Sequence, residues 1–392
     1  MKKKSVALIG GGPTNLLLAF LLGDSFDVSI YEKEKNIGRK FLVAGKGGFN
    51  LTNELSGNQL IAQYTSSDTF KKALLAFDSI KTRDWLAEIG IPTFVGSSGR
   101  IFPRQGIKPI EVLEAIRQNL YQKNVNILTH HTFIGFNESK QPIIKNNSEQ
   151  FSLVADFTVF ALGGASWSQT GSDGKWATVF KEIEIKSNPF QSSNCGVDIN
   201  WSSDFVKHHA GKPLKNISLS CGTKTIIGEA LITDYGLEGN AVYPSVPAIR
   251  DILNQHETPL LKIDFKPNNS IDQLRSKISK KATSKSYEKT FNLNKVEFAL
   301  LKSFTTKEEF LNPFLFLEKI KSLALPIKNL RPIDEAISTV GGIANKELNS
   351  DFSLKKIPNL YVAGEMIHWD APTGGFLLQG CFSTAYLVAQ SI

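Results

Sequence analysis

The hydrophobic pattern near the amino terminus places three elements in close succession. An apolar run at residues 6–9 ends at glycines 10–12. Pro13 follows, and a second apolar run covers residues 16–22. A short buried run predicts a strand, the glycines predict a tight turn, and proline in the first turn is typical of a helix. Residues 27–31 alternate and predict a second strand. The pattern therefore predicts a strand–turn–helix–strand unit.

Both helical and strand periodicity occur along the rest of the chain. Helices are predicted over residues 70–89, 109–121, 272–325 and 376–390. Strands are predicted over residues 126–128, 132–136, 151–156 paired with 157–162, 217–221, 225–227 and 360–363. Strands and helices alternate near both chain ends, and short antiparallel segments fill the middle. This arrangement predicts an α/β domain that is interrupted by an inserted β module.

The first strand–turn–helix unit has the features of a dinucleotide-binding turn. Gly10 allows the tight turn, Gly12 lets the backbone approach a pyrophosphate, and the helix start offers N–H groups to phosphate oxygens. Glu32 lies 20 residues after Gly12, where a carboxylate binds a ribose diol and disfavours a 2′-phosphate. Asn15 occupies the third position of the fingerprint, usually Gly or Ala, so it must turn away or use its amide on ligand or backbone. The alternative is a glycine-rich turn in an ordinary α/β protein.

Composition is that of a globular protein of two or three domains, with 392 residues, 41% hydrophobic and 21% charged. Cys195, Cys221 and Cys381 form no CxxC pair and no zinc spacing. We therefore expect a reducing compartment, no metal site and no redox disulfide of this kind. Glycines interrupt the apolar amino-terminal stretch, and no apolar run reaches the roughly 18 residues of a spanning helix. We expect a cytoplasmic protein without a membrane partner.

The formal net charge is +8, and part of the excess is local. Residues 271–330 contain twelve Lys or Arg and six Asp or Glu, a net charge of +6. A basic helical segment can bind an anionic substrate or RNA. The alternative interpretation is a solvated lysine-rich face.

Two glycine sites near the carboxy terminus, together with Gly163, favour FAD over NAD alone. FAD extends past the pyrophosphate, and an enzyme that binds only NAD does not need a second acid–glycine strand. Glu365 at a strand end can bind a ribitol hydroxyl, and a helix opening at Gly375 points its N–H groups at the flavin pyrimidine edge. No second GxGxxG occurs, so NADH or NADPH is expected only as a transient electron donor, if at all.

Motifs at residues 38–53, 99–103, 162–174, 233–239 and 363–376 resemble those of a known family. They are similar to the BaiN/RdsA-type (YhiN-like) NAD(P)/FAD-dependent oxidoreductases, which include aminoacetone-oxidase-like flavoproteins. The resemblance covers nearly the whole chain, and the sequence is most similar to a poorly characterised branch of the family. It implies NAD(P)H-driven reduction of a conjugated C=C bond in some members and amine oxidation by oxygen in others.

The predicted fold is a Rossmann-like FAD-binding domain of the glutathione-reductase-like type with two dinucleotide-binding motifs. A β-barrel-like module with a basic helical subdomain splits it. The predicted domains are residues 1–187 (first part of the FAD-binding domain), 188–270 (β module), 271–330 (basic helical subdomain) and 331–392 (second part of the FAD-binding domain).

The motif positions also predict the cofactor-binding residues. These are Gly10, Gly12, Pro13, Thr14, Asn15, Glu32, Lys33, Gly38, Arg39, Lys40, Gly48, Asn50, Thr52, Phe133, Ala161, Gly163, Gly364, Glu365, Thr373, Gly374, Gly375 and Phe376.

Candidate catalytic groups are few. Arg100 and Arg104 could bind a carboxylate, phosphate or enolate oxygen, or form a surface or hinge salt bridge. His368 and Asp370 could shuttle a proton, or only shape their loop. Lys46 could neutralise a pyrophosphate or the reduced flavin.

Three functions remain open on the sequence. The first is an FAD-dependent oxidoreductase that transfers hydride at flavin N5 to or from a small molecule with an activated C=C or C–N bond. The second is a flavin-dependent RNA-modifying reductase that docks RNA on the basic helical segment. The third is a flavin-binding protein without turnover. The oligomeric state is left open.

Overall fold

A computed structural model of the chain describes residues 2–43, 49–278 and 284–392. The chain divides into two compact units. Unit 1 consists of Met1–Gln191 and Ile337–Ile392, and unit 2 consists of Ser192–Ala336. Unit 2 thus includes both the β module and the basic segment, and the functional division into four domains stays a prediction. No described helix combines the length and apolar character that a membrane crossing requires.

Unit 1 contains thirteen described strands and eight described helices. The strands are β1 (Ser5–Ile9), β2 (Asp27–Tyr31), β3 (Thr52–Asn53), β4 (Thr93–Val95), β5 (Arg100–Pro103), β6 (Asn126–Leu128), β7 (Thr132–Phe136), β8 (Pro142–Lys145), β9 (Gln150–Ser152), β10 (Phe157–Phe160), β11 (Ser187–Ser193), β19 (Ser338–Ile343) and β20 (Leu360–Val362). The helices are α1 (Pro13–Leu22), α2 (Arg39–Val43), α3 (Gly57–Ile61), α4 (Asp68–Ala76), α5 (Ser79–Glu88), α6 (Pro109–Gln122), α7 (Trp176–Glu182) and α15 (Phe376–Ala389).

A five-stranded parallel sheet forms the centre of unit 1, in the order β20-β10-β1-β2-β6. Its middle strand β1 is almost fully buried, which explains the continuous apolar run at residues 6–9. Strand β20 comes from the far end of the chain and pairs with β10. The predicted Rossmann-like α/β fold, assembled from both chain ends, is confirmed.

Helices α1 and α15 are rich in apolar residues, and most of their residues are buried. Leu16, Leu17 and Leu18 are each at most 1% exposed, and in α15 Phe382 and Ala385 are equally covered. A helix without a polar face is typical of a core position. Both helices therefore belong to the core of unit 1.

Unit 2 is built on a seven-stranded antiparallel sheet with helices packed on it. Its strands are β12 (Val197–Asp198), β13 (Pro213–Cys221), β14 (Lys224–Ile232), β15 (Gly236–Glu238), β16 (Leu260–Asp264), β17 (Leu323–Pro326) and β18 (Asn329–Leu330). Its helices are α8 (Ser203–His209), α9 (Val246–Asn254), α10 (Ile271–Arg275), α11 (Tyr287–Thr290), α12 (Lys295–Ser303), α13 (Lys307–Leu311) and α14 (Pro313–Lys321).

The sheet of unit 2 closes on itself in a barrel-like way. Its order is β17-β16-β13-β14-β15-β12-β18, and β17 and β18 are successive parts of one short stretch of chain. That stretch pairs with β16 through β17 and with β12 through β18. Residues of the basic segment share the same core, where Tyr287 stacks on Phe316 with ring centroids 4.5 Å apart.

Three of the predicted elements are wrong in detail. The helix over 70–89 is two helices, because Asp78 caps α5 by accepting hydrogen bonds from Ile80 N and Lys81 N. Strands β9 and β10 do not pair with each other, since β9 joins β8 and β10 joins the parallel sheet. The basic segment contains several short helices rather than one and ends in strand β17.

Candidate functional site

A cavity of about 370 Å³ lies at the carboxyl ends of the parallel strands of unit 1. Its lining includes the glycines 10–12 after β1, residues 31–33 at the end of β2, residues 161–163 after β10, and Glu365 after β20. Ligands of open parallel α/β sheets bind at this edge, and the volume is in the usual range of ligand pockets. The cavity is therefore the candidate site.

The glycine turn shows why small residues are needed there. Gly10 has φ +103°, and a Cβ atom on it would lie 2.5 Å from the carbonyl oxygen of Ala161. A Cβ atom on Gly12 would meet no described atom within 4 Å. Gly12 is the N-cap residue of α1, so no side chain of its own caps the N–H groups at the start of the helix. Its backbone therefore faces open space at the start of a helix, as phosphate binding requires.

Asn15 uses its amide on the backbone, one of the options that the sequence leaves open. Its side chain is fully buried, and Nδ2 donates to the carbonyl oxygens of Ile9 (3.1 Å) and Gly10 (2.8 Å). Its Oδ1 is buried without a hydrogen-bond partner among the described residues. Asn15 therefore ties the end of β1 to the first turn of α1, beside the glycine turn.

The Glu32 carboxylate is fixed by backbone donors. Oε2 accepts from Gly11 N (2.6 Å), and Oε1 accepts from Glu34 N (2.8 Å). Burial raises the pKa of Glu32, an effect that these two hydrogen bonds oppose. Each carboxylate oxygen can accept a further hydrogen bond, so the side chain can still bind a ribose hydroxyl at the cavity wall.

A second acidic group lines the cavity from the carboxy-terminal segment. Glu365 forms an ion pair with Lys40, with Nζ and Oε2 2.9 Å apart. The same ammonium donates to Ser166 Oγ at 2.9 Å. The Glu365 and Lys40 side chains are 13% and 28% exposed. A partly open, paired carboxylate of this kind can accept a hydrogen bond from a ligand hydroxyl.

An apolar and aromatic part of the cavity comes from β7 and α7. Phe133, Ile134, Trp176 and Val179 line it. Phe133 packs against Phe160 with ring centroids 4.8 Å apart. These side chains form a surface that can pack against a flat, weakly polar ring such as adenine.

The start of α15 lies against β3. Gly375 has φ +97°, and a Cβ atom on it would lie 2.4 Å from backbone atoms of Thr52. Inside α15, Gln379 Oε1 accepts from Thr52 Oγ1 at 2.6 Å. Asn53 Nδ2 donates to the carbonyl oxygen of Gly374 at 3.4 Å. The predicted residues Thr52, Gly374 and Gly375 therefore form one contiguous group.

Arg100 belongs to this second group. It pairs with Asn53 across β3 and β5, and a Cβ atom on Gly374 would lie 3.5 Å from its Nε. The side chain is half-buried, and no described residue forms an ion pair or hydrogen bond with its guanidinium. A charged group in this position is suited to an anionic partner.

The other predicted catalytic residues lie elsewhere. Arg104 is exposed in the turn after β5, and its backbone N–H donates to Pro92. Asp370 is buried, its backbone pairs with Thr65, and its Oδ1 accepts from the next residue's backbone N–H at 2.9 Å. None of the four predicted catalytic residues, Arg100, Arg104, His368 and Asp370, is among the described residues that line the cavity.

Cys381 lines the cavity from α15 as a neutral thiol. Burial, together with the nearby Glu365 carboxylate, raises its pKa to about 12. Its thiolate is therefore scarce at neutral pH, so it contributes packing rather than a nucleophile.

The structure separates the predicted cofactor residues into groups. Those that line the cavity are Gly10, Gly12, Pro13, Thr14, Glu32, Lys33, Gly38, Arg39, Lys40, Phe133, Ala161, Gly163 and Glu365. Those outside its described lining are Asn15, Asn50, Thr52, Gly364, Thr373, Gly374, Gly375 and Phe376. Gly48 and Lys46 lie outside the described residues. The role of each residue in binding stays a prediction.

Sequence reasoning missed one wall of the cavity, formed by Thr170–Asp173 and Lys175. The sequence signal for this wall was the pair of glycines 171 and 174, which lie in a segment that resembles a family motif. In the structure both glycines have positive φ. His131, Leu377 and Leu378 also line the cavity and carried no distinctive pattern.

Comparison with known proteins decides the family. The chain matches the HI0933-like protein Rossmann domain over residues 4–391. The chain belongs to this family. Membership confirms the predicted resemblance to BaiN/RdsA-type oxidoreductases, and with it the expectation of an enzyme of the oxidoreductase class.

Two curated relatives of this family member align along its length. The "3-dehydro-bile acid delta(4,6)-reductase" of Clostridium scindens is 25% identical over 98% of both chains. The "Ribosomal RNA dihydrouridine synthase" of Haemophilus influenzae is 24% identical over 98% of this chain and 97% of the relative.

Two solved structures share the fold. The 3-ketosteroid-delta4-(5alpha)-dehydrogenase of Rhodococcus jostii RHA1 has a TM-score of 0.50 at 11% identity and covers 100% of this chain and 98% of its own. The 3-ketosteroid delta1-dehydrogenase of Sterolibacterium denitrificans has a TM-score of 0.50 at 13% identity and covers 100% and 99%.

Proposed function

We propose that the chain is an FAD-dependent oxidoreductase that acts on a small molecule with an activated C=C or C–N bond. The observation that carries the proposal is the cavity of unit 1. It joins an open glycine turn, the fixed Glu32 carboxylate and the Glu365 carboxylate along the edge of one parallel sheet. The glycine turn suits a pyrophosphate, Glu32 suits the hydroxyl groups of a ribose, and Glu365 suits a hydroxyl group of the ribitol.

The described residues fit FAD. The open space at Gly12 leaves room for a pyrophosphate. Phe133 and Trp176 offer an apolar wall for adenine, and Glu32 offers acceptors for a ribose diol. The start of α15 at Gly375 offers N–H groups to an electron-rich ring edge. When bound, FAD supplies hydride transfer at its N5 atom.

Arg100 is the side chain that we assign to the substrate. Its guanidinium lies beside Gly374 and has no partner among the described residues. It can therefore hold a carboxylate or an enolate-like oxygen in place and stabilise negative charge that develops there during reduction. His368 and Asp370 lie outside the described cavity lining, as Arg100 does. Unlike the Arg100 guanidinium, both make contacts with other parts of the structure, and Asp370 is buried, which favours a supporting role in their loop.

The relatives favour reduction of a conjugated C=C bond. The bile acid relative is named as a reductase, and its alignment covers almost all of this chain. NADH or NADPH would serve as a transient donor. The steroid dehydrogenases share only the fold at 11% and 13% identity, so they contribute no argument about the substrate.

The first experiment compares Gly12→Ala with the wild type. The new Cβ meets no described atom, so the free energy of unfolding should change by no more than about 1 kcal/mol. It would occupy the space for the pyrophosphate, so FAD should bind about tenfold or more weakly in a fluorescence titration.

Gly135→Ala is the matched control, because a Cβ atom there also meets nothing within 4 Å and Gly135 does not line the described cavity. A colourless wild type that refuses added FAD would overturn the proposal. Flavin bleaching by NADH or NADPH without oxygen, followed by reoxidation with conjugated enones, then tests donor and substrate class. Candidate amines test the C–N alternative.

A second candidate function is reduction of a pyrimidine double bond in RNA. Two observations favour it: the relative named as a ribosomal RNA dihydrouridine synthase, and the net charge of +6 over residues 271–330. In unit 2, Lys277 and Lys285 are exposed, whereas Lys280 and Lys281 lie outside the described residues.

Replacing these four lysines by Gln should abolish salt-sensitive RNA binding if the segment docks RNA. The control replaces four exposed lysines of unit 1, Lys72, Lys140, Lys145 and Lys181. Equal loss of binding in both variants would mean that only net charge matters.

A further inference from the structure

Residues 167–175, which we call the strap, cross the edge of the parallel sheet. The strap follows β10 and reaches side chains that follow β2, and β1 lies between these two strands. It therefore passes the carboxyl end of β1, where the glycine turn lies. Thr170–Asp173 and Lys175 line the same cavity as that turn. The strap is one wall of the candidate site.

On the side of β10, the strap is tied to the chain that leads into it. Ser172 Oγ donates to the carbonyl oxygen of Gly164 at 3.0 Å. Trp176, which follows the strap directly, donates from Nε1 to the carbonyl oxygen of Gly163 at 3.0 Å. These contacts are local in sequence and fix only one end.

On the side of β2, two contacts span the cavity edge. Lys33 Nζ and Asp173 Oδ2 form an ion pair at 3.1 Å, with the two side chains about one-third exposed (32% and 28%). Arg39 Nη2 donates to the carbonyl oxygen of Gln169 at 3.0 Å. Gly171 packs close to the same side, since a Cβ atom on it would lie 3.4 Å from Lys33 Cε.

The backbone of the strap is not in its preferred conformation. Trp167 has φ +60°, a left-handed value that a bulky L-residue rarely adopts. Such a conformation persists only where surrounding contacts hold it. The contacts across the cavity edge add to the local hydrogen bonds that hold the strap in this conformation.

We infer that the strap retains the adenosine half of the cofactor and that the Lys33–Asp173 ion pair is its latch. Lys33 and Asp173 are positioning residues, which act by holding the strap across the glycine turn. Release of the cofactor requires the strap to leave the β2 side. This inference rests on the proposed function, since it takes FAD as the molecule in the cavity.

The test measures FAD release from the loaded full-length chain, as recovery of free-FAD fluorescence after rapid dilution at pH 7. The variants are Lys33→Glu, Asp173→Lys and the double swap. Each single variant should release FAD about threefold faster or more at low salt, the range expected for an exposed ion pair. The double swap should return to near the wild-type rate, and high salt should reduce the differences.

Lys181→Glu is the control, because it makes the same charge change on exposed α7 and should release FAD at the wild-type rate. Fast release that the double swap does not rescue would overturn the latch, since it would mean direct contact with the cofactor. A wild type that binds FAD and releases it as fast as both single variants would overturn the strap alone. A wild type that binds no FAD would overturn the proposed function itself.

Discussion

At the scale of single residues, the glycine turn after β1 is supported by a side chain that the usual dinucleotide-binding fingerprint lacks. Asn15 donates two hydrogen bonds to carbonyl oxygens at the end of β1 and is fully buried. A small residue in this position would let the helix approach the strand, whereas Asn15 holds the two together by hydrogen bonds. The turn is therefore tied by a polar contact inside an otherwise apolar core.

Asn15→Asp should destabilise unit 1 strongly. The carboxylate would face the carbonyl oxygens of Ile9 and Gly10 without a donor, so a buried unpaired charge would cost about 3–5 kcal/mol. Asn15→Ala should cost less, about 1–3 kcal/mol, because it only removes hydrogen bonds. Urea unfolding checks both, and equal stability of Asp and Ala variants would contradict the assigned role.

Glu32 gives a pH dependence of defined sign. Burial raises its pKa in the folded chain above the ordinary value of 4.5, so the folded state binds this proton more tightly than the unfolded state. The free energy of unfolding should therefore fall as the pH rises from about 4.5 through the folded pKa. The Glu32→Gln variant has no carboxylate to titrate at this position. The free energy of unfolding of the wild type minus that of the variant should therefore fall over this pH range and then level off.

Unfolding in urea at a series of pH values, without added FAD, measures that difference. A difference that rises with pH would mean that the hydrogen bonds from Gly11 and Glu34 outweigh burial.

At the scale of elements, one buried amide links α15 to three neighbouring segments. Gln379 accepts from Thr52 and Thr82 and donates to the carbonyl oxygen of Phe77 and to Ser383. Ser383 lies in α15 itself, and the other three partners belong to β3, α5 and the junction between α4 and α5. The amide thus joins the helix of the carboxy-terminal segment to the region that carries Arg100.

Gln379→Leu should lower the free energy of unfolding by about 2–4 kcal/mol, since it leaves several buried partners unsatisfied. It should also weaken FAD binding if the start of α15 contacts the cofactor. Gln390→Leu, at an exposed position just after the same helix, should change stability by less than about 0.5 kcal/mol. Chemical denaturation of both variants provides the measurement.

Local patterns explain which elements the sequence predicts well. The amino-terminal unit, the helix from Pro109 and the closing helix have clear periodicity or start signals, and each is present within about one residue. The break at Asp78 was missed because an acidic cap inside a helical pattern looks like a surface residue. The partners of β9 and β10 were missed because pairing depends on contacts distant in sequence.

At the scale of the whole molecule, unit 1 is formed by two segments of the chain, and unit 2 is the single segment between them. Ser192–Ala336 has its own hydrophobic core, separate from the core of unit 1. An expressed fragment of residues 192–336 should therefore fold alone and unfold cooperatively in urea, with circular dichroism as the readout. A fragment without a cooperative transition would contradict this expectation.

The candidate site could be predicted only in part, because distant segments of the chain meet there only in the folded molecule. Residues next to glycine turns, such as Glu32 and Glu365, are recognisable because their spacing from a strand is fixed. Asp173 and Cys381 were not assigned to the site, because only the folded sheet brings their segments to the cavity. Arg100 was singled out by its motif, yet its place beside Gly374 depends on β3 and β5 pairing.

Glu365, which follows β20, and residues of α15 supply one wall of the cavity, and the glycine turn at Gly10 supplies another. A ribosome must therefore translate past Cys381 before any nascent chain can complete this site. Until then, the surface of α1 that packs on α15 and the edge of β10 that pairs with β20 have no partner. A cofactor that needs both walls of this cavity could therefore bind only after translation has passed Cys381.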